Sequence, residues 1–425
     1  MAEKLPREVR VLVAAGFLVS IGYGFVAPAI PLYARGFGIS YFAASAVVSV
    51  FAVLRIAAAA PSGQVVSRLG ERDSYVLGLL VITVSTGACA FTTAYWQLLL
   101  CRGISGVGSA LFTVAGGTLL ARTAPPGLRG RASGVYSTFF VMGGITGPLL
   151  GAGLIAVDLR TPFLVYSAAL LLAAAVMRLA VPAGRGAVAG AGAAPAGTAR
   201  FADTLRHPAY RAALVSNFAN GWMVSGVRIT LVPLFVVEGL GRGGAWASSS
   251  LAAFAAGNAV VLLGAGVWSD RRGRRPPVVL GLFLSGVGTA VMGLTGSFAL
   301  FAAVSLVAGL GSGMLTPPLN AVVSDVLGSR GRGGPVLAGF QMASDLGGVV
   351  GPLIAGVLAS TCSFTVAFAV TGAWALLSLL FWWRAPETLP VAPAPTPGHV
   401  GQAPTPTSTS TPTPSPALRS GTGPA

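Results

Sequence analysis

Asp345 is the residue of this sequence best placed to do chemistry, because it alone of eleven acidic residues lies deep inside a long apolar segment. It follows Val336 by nine residues, or about 13 Å along a helix, close to the centre of an apolar layer of roughly 30 Å. Burial disfavours the charged form of a carboxyl group, which allows reversible protonation near neutral pH. We expect Asp345 to carry a coupling proton or bind a cationic substrate; structural pairing with a buried arginine is the alternative.

Three arginines, Arg55, Arg102 and Arg228, also lie within apolar segments. Charges there are costly and usually functional. Arg102 is near a segment end, where a long side chain can reach the interface, so coupling and structural roles both stay open for it. Pairing of Asp345 with Arg55 or Arg228 would provide a protonation switch. Three arginines against one carboxylate also leave an anionic substrate open.

The composition excludes a soluble protein. Apolar residues make up 54% and charged residues 9%, and the mean hydropathy is +0.79, whereas a soluble surface needs about a quarter charged residues. The net charge of +16 is better explained by orientation in a bilayer than by nucleic acid, so no nucleic-acid partner is expected. The three cysteines and two histidines have no metal or redox spacing. We expect no metal, no cofactor and no enzymatic activity, because one intramembrane carboxylate cannot supply a catalytic pair.

Twelve apolar segments are long enough to cross a bilayer, and they must be helices because lipid cannot satisfy an open backbone. The sequence therefore predicts an all-α polytopic membrane protein with twelve transmembrane helices. The segments are Val11–Tyr33, Phe42–Ala60, Tyr75–Tyr95, Leu98–Ala121, Ser133–Ala156, Phe163–Val181, Ala212–Val237, Ala247–Trp268, Val278–Thr295, Phe298–Val323, Val336–Ala359 and Phe364–Trp383.

The basic residues predict the orientation. With the N-terminus inside, 21 of the 27 basic residues fall on the cytoplasmic side and three in outer loops, so both termini should be cytoplasmic. We expect an N-terminal half at 1–182, a flexible cytoplasmic linker at 183–208, a C-terminal half at 209–388 and a disordered tail at 389–425. Arginine-rich, Ala- and Gly-rich usage suggests a bacterial cytoplasmic membrane.

The two halves repeat each other. Three motifs in the first half recur in the second at an offset of 203 or 204, which predicts two pseudo-symmetric six-helix bundles with a binding site between them. The pairs are 63–72 with 266–275, 106–110 with 309–313, and 143–150 with 347–354.

At these motifs the chain resembles the major facilitator superfamily, and more narrowly its twelve-span drug/proton antiporters. The loop motif is nearly complete in the second copy, and Ser67 replaces the usual acidic residue in the first. Arg102–Gly106 resembles the second motif of the family, the glycines of 143–151 resemble its exporter motif, and 22–33 is similar to the start of the antiporters. The loop residues are Gly63, Arg68, Gly70 and Arg72, then Gly266, Asp270, Arg271, Gly273, Arg274 and Arg275.

The resemblance implies that these loops gate the cytoplasmic side and that alternating access moves a substrate. Small residues every four positions also suit tight helix packing, which we expect to form a pliable interface between the halves. These packing residues are Gly143, Gly147, Pro148 and Gly151, then Gly347, Gly351 and Pro352.

The resemblance also implies a central cavity, for which the candidate polar residues are Tyr23, Tyr136, Asn217, Asn220, Trp222, Asn258, Asn320 and Gln341. We expect a monomeric, proton-coupled exporter of a small hydrophobic or amphipathic compound. An uptake permease or facilitator for a small metabolite, including an anionic one, is the alternative. The absence of an acidic residue from the first span weighs against the exporter, since many relatives place a carboxylate there.

Overall fold

The computed structural model describes residues 5–125, 128–182, 201–327 and 334–389. Residues 1–389 belong to one compact unit. The predicted tail, most of the predicted linker, and Arg330 and Arg332 lie outside the described residues.

Six helices form the first half, as the repeat predicts. Each is apolar enough to lie in lipid, and each ends near Gly, Pro or charged residues that mark a turn at the membrane surface. They are α1 (Arg7–Arg35), α2 (Tyr41–Leu69), α3 (Glu71–Cys89), α4 (Tyr95–Thr123), α5 (Arg129–Val157) and α6 (Thr161–Ala180).

Six more helices form the second half. The first of them is irregular, with wider π-type turns over Trp222–Leu231 and Phe235–Gly239, and the fourth is interrupted between Gly313 and Thr316. They are α7 (Pro208–Gly239), α8 (Gly244–Arg272), α9 (Arg275–Met292), α10 (Phe298–Leu327), α11 (Gly334–Thr361) and α12 (Phe364–Arg384).

This architecture confirms the predicted fold class. Within the described residues, eleven helices are long and apolar enough to cross a membrane. The twelfth, α3, has 19 residues and carries charges in its first turn. Several helices extend past the predicted apolar spans, since α1 begins at Arg7 and α2 continues to Leu69. Backbone hydrogen bonds keep a helix intact where it emerges into water, so hydropathy underestimates its length.

The two halves pack by the same plan. In the first half α1 packs on α5 and α6, and α4 on α2 and α3; in the second half α7 packs on α11, and α10 on α8 and α9. Between the halves, the main contacts join α2 to α11 and α5 to α8. These two helix pairs therefore decide how far the halves open.

The glycine motifs pack inside each half, which corrects the expectation of an interface between halves. A Cβ on Gly147 of α5 would lie 2.6 Å from Gly24 of α1, and a Cβ on Gly347 of α11 would lie 2.1 Å from the Phe218 carbonyl of α7. Gly143, Gly151 and Gly351 make the same kind of approach. Pro148 and Pro352 lie within their helices beside these contacts. The motif thus fixes the repeated α1–α5 and α7–α11 pairs.

The halves are closed at one face and open at the other. We call the face that holds the α2–α3 and α8–α9 turns the basic face, and the other the opposite face. Near the opposite face, a Cβ on Gly356 of α11 would lie 2.9 Å from Phe42 of α2, whereas a Cβ on Gly63, near the basic end of α2, meets nothing within 4 Å. Side chains from Val53 to Pro61 are largely exposed. The contacts between α2 and α11 are therefore tight near the opposite face and absent at Gly63, so the space between the halves widens toward the basic face; we call this space the cavity.

Candidate functional site

An ion pair between the halves forms the centre of the candidate site. Arg55 of α2 donates from Nη2 to Asp345 Oδ1 of α11 over 2.8 Å, and Gln341 Nε2 lies 3.3 Å from the same oxygen. The side chains of Arg55 and Asp345 are 34% and 24% exposed. Asp345 is therefore ion-paired and partly exposed. Its depth in the apolar segment had suggested a desolvated carboxylate without a partner.

The pair lies at the closed end of the cavity. On its side toward the opposite face, Ser49 donates to the Val349 carbonyl over 2.8 Å and so joins the same two helices. On its side toward the basic face, the inter-half surfaces of α2 and α11 are largely exposed. A change in the charge of Asp345 thus acts directly on the helix pair that holds the two halves together.

The other two predicted arginines have no acidic partner within the described chain. Arg102 is 2% exposed, its Nε has no hydrogen-bond partner, and its guanidinium lies 4.5 Å from the Phe51 ring. Arg228 is partly exposed and lies 4.8 Å from the Phe254 ring. Cation–π contact compensates each charge in part. Neither arginine pairs with Asp345, so of the two partners that the sequence left open, Arg55 is the one that forms the ion pair within the described residues.

Two of the predicted cavity residues, Asn220 and Asn258, form one polar group with Ser312 in the second half. Ser312 of α10 donates to Asn220 Oδ1 over 3.3 Å and lies 3.4 Å from Asn258 Nδ2. Both asparagines are partly buried. The two asparagines and Ser312 keep a polar surface available between α7, α8 and α10. Gln341 of α11 is exposed and adjoins Asp345 instead.

Other cavity candidates are occupied by packing. Trp222 is 5% exposed, donates to Thr371 Oγ1 of α12 and stacks on Trp374. Asn217 is 8% exposed and donates to the Phe340 carbonyl of α11 over 2.7 Å. These contacts lie within the second half, so they favour structural roles for both residues.

The tyrosines and Asn320 have different surroundings. Tyr136 is partly buried, stacks on Phe140 and closely approaches Gly16 of α1. Tyr23 of α1 is also partly buried, and Asn320 is exposed. The structure thus leaves a ligand-facing role open to Tyr23 and Asn320, while it packs Tyr136 against α1.

The second of the two predicted gating loops is built around Arg274. This residue is 9% exposed, donates through Nε to Asp325 of α10 over 2.9 Å, and also pairs with Asp270. Gly273 has φ +105°, a conformation that favours glycine. Arg275 Nη2 lies 3.5 Å from the Trp383 carbonyl, while Gly266, Asp270 and Arg271 remain at least partly exposed.

The first predicted gating loop contains an ion pair at the equivalent positions, with the acidic and basic residues exchanged. Arg122 Nη1 of α4 lies 3.1 Å from Glu71 Oε2, which is 3% exposed. The repeat offset carries these positions onto the second loop, since 71 + 203 = 274 and 122 + 203 = 325. The acidic residue that is missing at Ser67 is therefore replaced four positions later by Glu71, within the same 63–72 motif.

The other residues of the first loop follow this plan. Arg72 donates to Asp73 and to the Val181 carbonyl, Gly70 has φ +82°, and Gly63 and Arg68 are exposed. Sequence reasoning missed Glu71, Arg122 and Asp325, although applying the offset to Arg274 and Asp325 would have found the pair.

Glu387 is a further residue that the sequence did not indicate. Its carboxylate accepts from the backbone N–H groups of Arg274 and Arg275 at 2.7 and 3.1 Å, at the start of α9. Burial alone would raise the pKa of Glu387, but these donors and those of Thr388 and Leu389 outweigh it and hold the pKa below its ordinary value. The end of the described chain is thereby fastened to the second loop.

A second ion pair closes the opposite face. Arg35 at the end of α1 donates to both carboxylate oxygens of Glu238 at the end of α7, at 2.8 and 3.0 Å, and Tyr41 donates to Glu238 over 2.7 Å. We call these three residues the outer clasp. Arg35 and Glu238 are separated by the repeat offset itself, 238 − 35 = 203, so they are equivalent positions that meet across the pseudo-twofold axis. That relation was the signal available in the sequence.

Comparison with known proteins agrees with this architecture. The sequence profile of the Major Facilitator Superfamily matches residues 12–265 and 213–420. The solved structure of a bacterial homolog of the human lysosomal transporter Spinster, inward-facing and unoccupied, superposes with a TM-score of 0.76 at 17% identity, covering 90% of this chain and 97% of the other. The superposition shows that the two proteins share a fold.

Curated relatives match along most of the chain. The multi-drug resistance efflux pump PmrA of Streptococcus pneumoniae is 26% identical, with 88% of this chain and 94% of the pump covered. The class G tetracycline resistance protein of Vibrio anguillarum is 27% identical, with 84% and 89% covered. Multidrug resistance protein 1 of Bacillus subtilis is 24% identical, with 91% and 99% covered.

Proposed function

Because this chain belongs to the Major Facilitator Superfamily, we propose that it is a proton-coupled exporter that moves a small hydrophobic or amphipathic compound by alternating access. The observation that carries the proposal is the Arg55–Asp345 ion pair, which joins the two halves at the closed end of the cavity. The names of the relatives, as pumps for several drugs and for tetracycline, support the direction and the substrate class.

The coupling follows from the pair's position. While Asp345 is ionised, its attraction to Arg55 keeps α2 against α11 and the cavity open to the basic face. Substrate bound in the cavity would compete for the pair and allow the two helices to separate, and once it has left at the opposite face Asp345 would take up a proton there, which keeps the attraction to Arg55 broken while the halves return. Release of that proton at the basic face would restore the ion pair and complete one exchange.

The surroundings of Asp345 suit repeated protonation and deprotonation of its carboxyl group. Gln341 bonds to the same oxygen as Arg55, so the carboxyl group keeps a neutral partner when the ion pair breaks. Its partial exposure gives the proton a route through the cavity. Because both members of the pair are partly solvated, breaking it costs less than breaking a fully buried pair.

The deciding experiment uses proteoliposomes holding the full chain, with a pH gradient and a panel of amphipathic drugs. Asp345→Asn should abolish gradient-driven accumulation while substrate exchange without a gradient continues. Asp203→Asn is the matched control, because Asp203 is an exposed carboxylate on the short helix Phe201–Thr204. Normal accumulation by Asp345→Asn would make Asp345 structural and overturn the proposal.

An uptake permease or facilitator for an anionic metabolite remains the second candidate. It is favoured by Arg102 and Arg228, for which the described residues supply no acidic partner. In the same proteoliposomes, gradient-independent uptake of small carboxylates, unaffected by Asp345→Asn, would favour this function over drug export.

A further inference from the structure

A small cavity inside the second half has the chemistry of an anion site. It lies among α7, α8, α9 and α10, away from the Arg55–Asp345 pair. One guanidinium and five hydroxyl-bearing residues line it, together with apolar side chains such as Val227 and Leu251. No acidic residue of the described chain lines it. The polar residues are Arg228, Ser250, Ser285, Thr289, Ser305 and Ser312.

Two of these residues have unused hydrogen-bonding groups. Arg228 carries five N–H donors, yet within the described residues its guanidinium forms no hydrogen bond or ion pair: it lies 4.8 Å from the Phe254 ring, and Tyr23 is a second electrostatic neighbour. Ser305 is 1% exposed and its Oγ has no hydrogen-bond partner. Buried polar groups are almost always satisfied. One cavity is thus lined by a buried hydroxyl without a partner and by a partly exposed guanidinium without an acidic partner in the described residues, which points to a negatively charged ligand.

The internal repeat explains why the second half has room for such a ligand. Phe254 is equivalent to Phe51 (51 + 203), and Ser305 is equivalent to Arg102 (102 + 203). In the first half Arg102 itself lies over Phe51. In the second half the short Ser305 takes the arginine's position and leaves space, while Arg228 reaches the equivalent phenylalanine from another helix. The second half thus has a cavity beside the Arg228 guanidinium at the place where the first half has the long side chain of Arg102.

The size of the space limits the ligand. It has room for about one water-sized group, which excludes a whole drug molecule but fits a halide ion or one carboxylate group. Its apolar walls strengthen the attraction of the guanidinium for a charge. We infer that Arg228 and Ser305 bind one small anionic group, supplied by a free inorganic ion or by the carboxylate of a transported compound. This site is separate from proton coupling and does not depend on it.

Binding can be measured without transport. The thermal unfolding midpoint of the full-length chain in nanodiscs would be followed while sodium chloride replaces sodium gluconate at constant ionic strength, and separately with benzoate or methyl benzoate. We expect a saturable rise with chloride or benzoate. We expect none with methyl benzoate, which lacks the charge, or with gluconate, whose hydroxylated chain does not suit the apolar walls of the cavity. A response to chloride that benzoate does not compete with identifies a free inorganic ion. Competition by benzoate identifies a carboxylate.

Two variants test the residues. Arg228→Gln should remove the anion response, and Ser305→Ala, which deletes a single oxygen and tests the site even if Arg228→Gln misfolds, should weaken the apparent Kd roughly tenfold, the value of one hydrogen bond to a charge. Arg242→Gln is the matched control, because Arg242 also lies over an aromatic ring, 5.9 Å from Trp246, but outside the cavity. The inference is overturned if no anion raises the midpoint, or if both site variants respond as the unmodified chain does.

Discussion

The outer clasp offers the sharpest test of how this chain changes conformation. Glu238→Gln removes the charge that Arg35 and Tyr41 share but keeps the side-chain size. Because the clasp joins α1 to α7 across the halves, it stabilises only the state that is closed at the opposite face. Its loss should therefore shift the population toward the state open at that face.

The size of this population shift can be worked out from the geometry of the clasp. An exposed ion pair contributes about 0.2–1 kcal/mol, and a two-pronged arginine–carboxylate pair is stronger than a single contact. The Arg35 and Glu238 side chains are 28% and 29% exposed, so solvent screens part of the attraction. We expect about 1–2 kcal/mol for the clasp with Tyr41, which changes the ratio of the two states by roughly 5- to 30-fold.

Distance measurement between spin labels can detect this shift. Labels at Thr93 and Gly296 would report the gap, because these exposed positions are equivalent in the two halves; the exposed Cys362 would first be replaced by serine. Glu238→Gln should increase the long-distance population, and Tyr41→Phe should do so less.

Two comparisons make the test specific. The double variant Arg35→Glu/Glu238→Arg, which exchanges the two charges, should restore the short distance between the spin labels. Asp158→Asn should have no effect, because Asp158 bonds within its own turn, to the Arg160 N–H. An unchanged distance distribution in Glu238→Gln, or an exchanged pair as open as the single variant, would refute the reasoning.

Three further predictions concern the topology, the basic face and the helix packing. Cysteines at Gly197 and Gly243 should be labelled from opposite sides of the membrane, and labelling from one side would contradict the predicted orientation. Asp325→Asn should slow transport more than Asp270→Asn, with substrate affinity nearly unchanged, because the Asp325 side chain is 14% exposed and that of Asp270 is 70% exposed. Gly147→Ala should lower the unfolding midpoint measurably, because its Cβ would lie 2.6 Å from Gly24, whereas Gly153→Ala meets nothing within 4 Å and should be nearly neutral.

A last prediction concerns acid stability. The folded-state pKa of Glu387 is lowered, so its contribution to stability is present above its ordinary value of 4.5 and is lost as the pH falls through the lower folded value. The unfolding midpoint of Glu387→Gln should be lower than that of the unmodified chain at neutral pH, and the difference should shrink below pH 4.5. A difference that stays constant down to acid pH would show that the carboxylate charge is not what fastens the loop.

The sequence determined the broad architecture because lipid leaves a chain few choices. Long apolar segments must be helices, and an offset of 203 between Gly63 and Gly266 places them in two related halves. The depth of Asp345 along its segment also follows from counting residues. These features depend on local composition and on spacing along the chain, both of which can be read without coordinates.

Only the tertiary structure decided which charges meet. The sequence offered Asp345 a choice between Arg55 and Arg228, and the packing of α2 on α11 selected Arg55. The clasp of Arg35 and Glu238 and the exchanged Glu71–Arg122 pair were likewise invisible in any single motif. The glycines of α5 turned inward to α1 rather than across to the other half. The reason is that the rotation and tilt of each helix determine which of its residues contact a given neighbouring helix. Hydropathy does not encode this rotation or tilt.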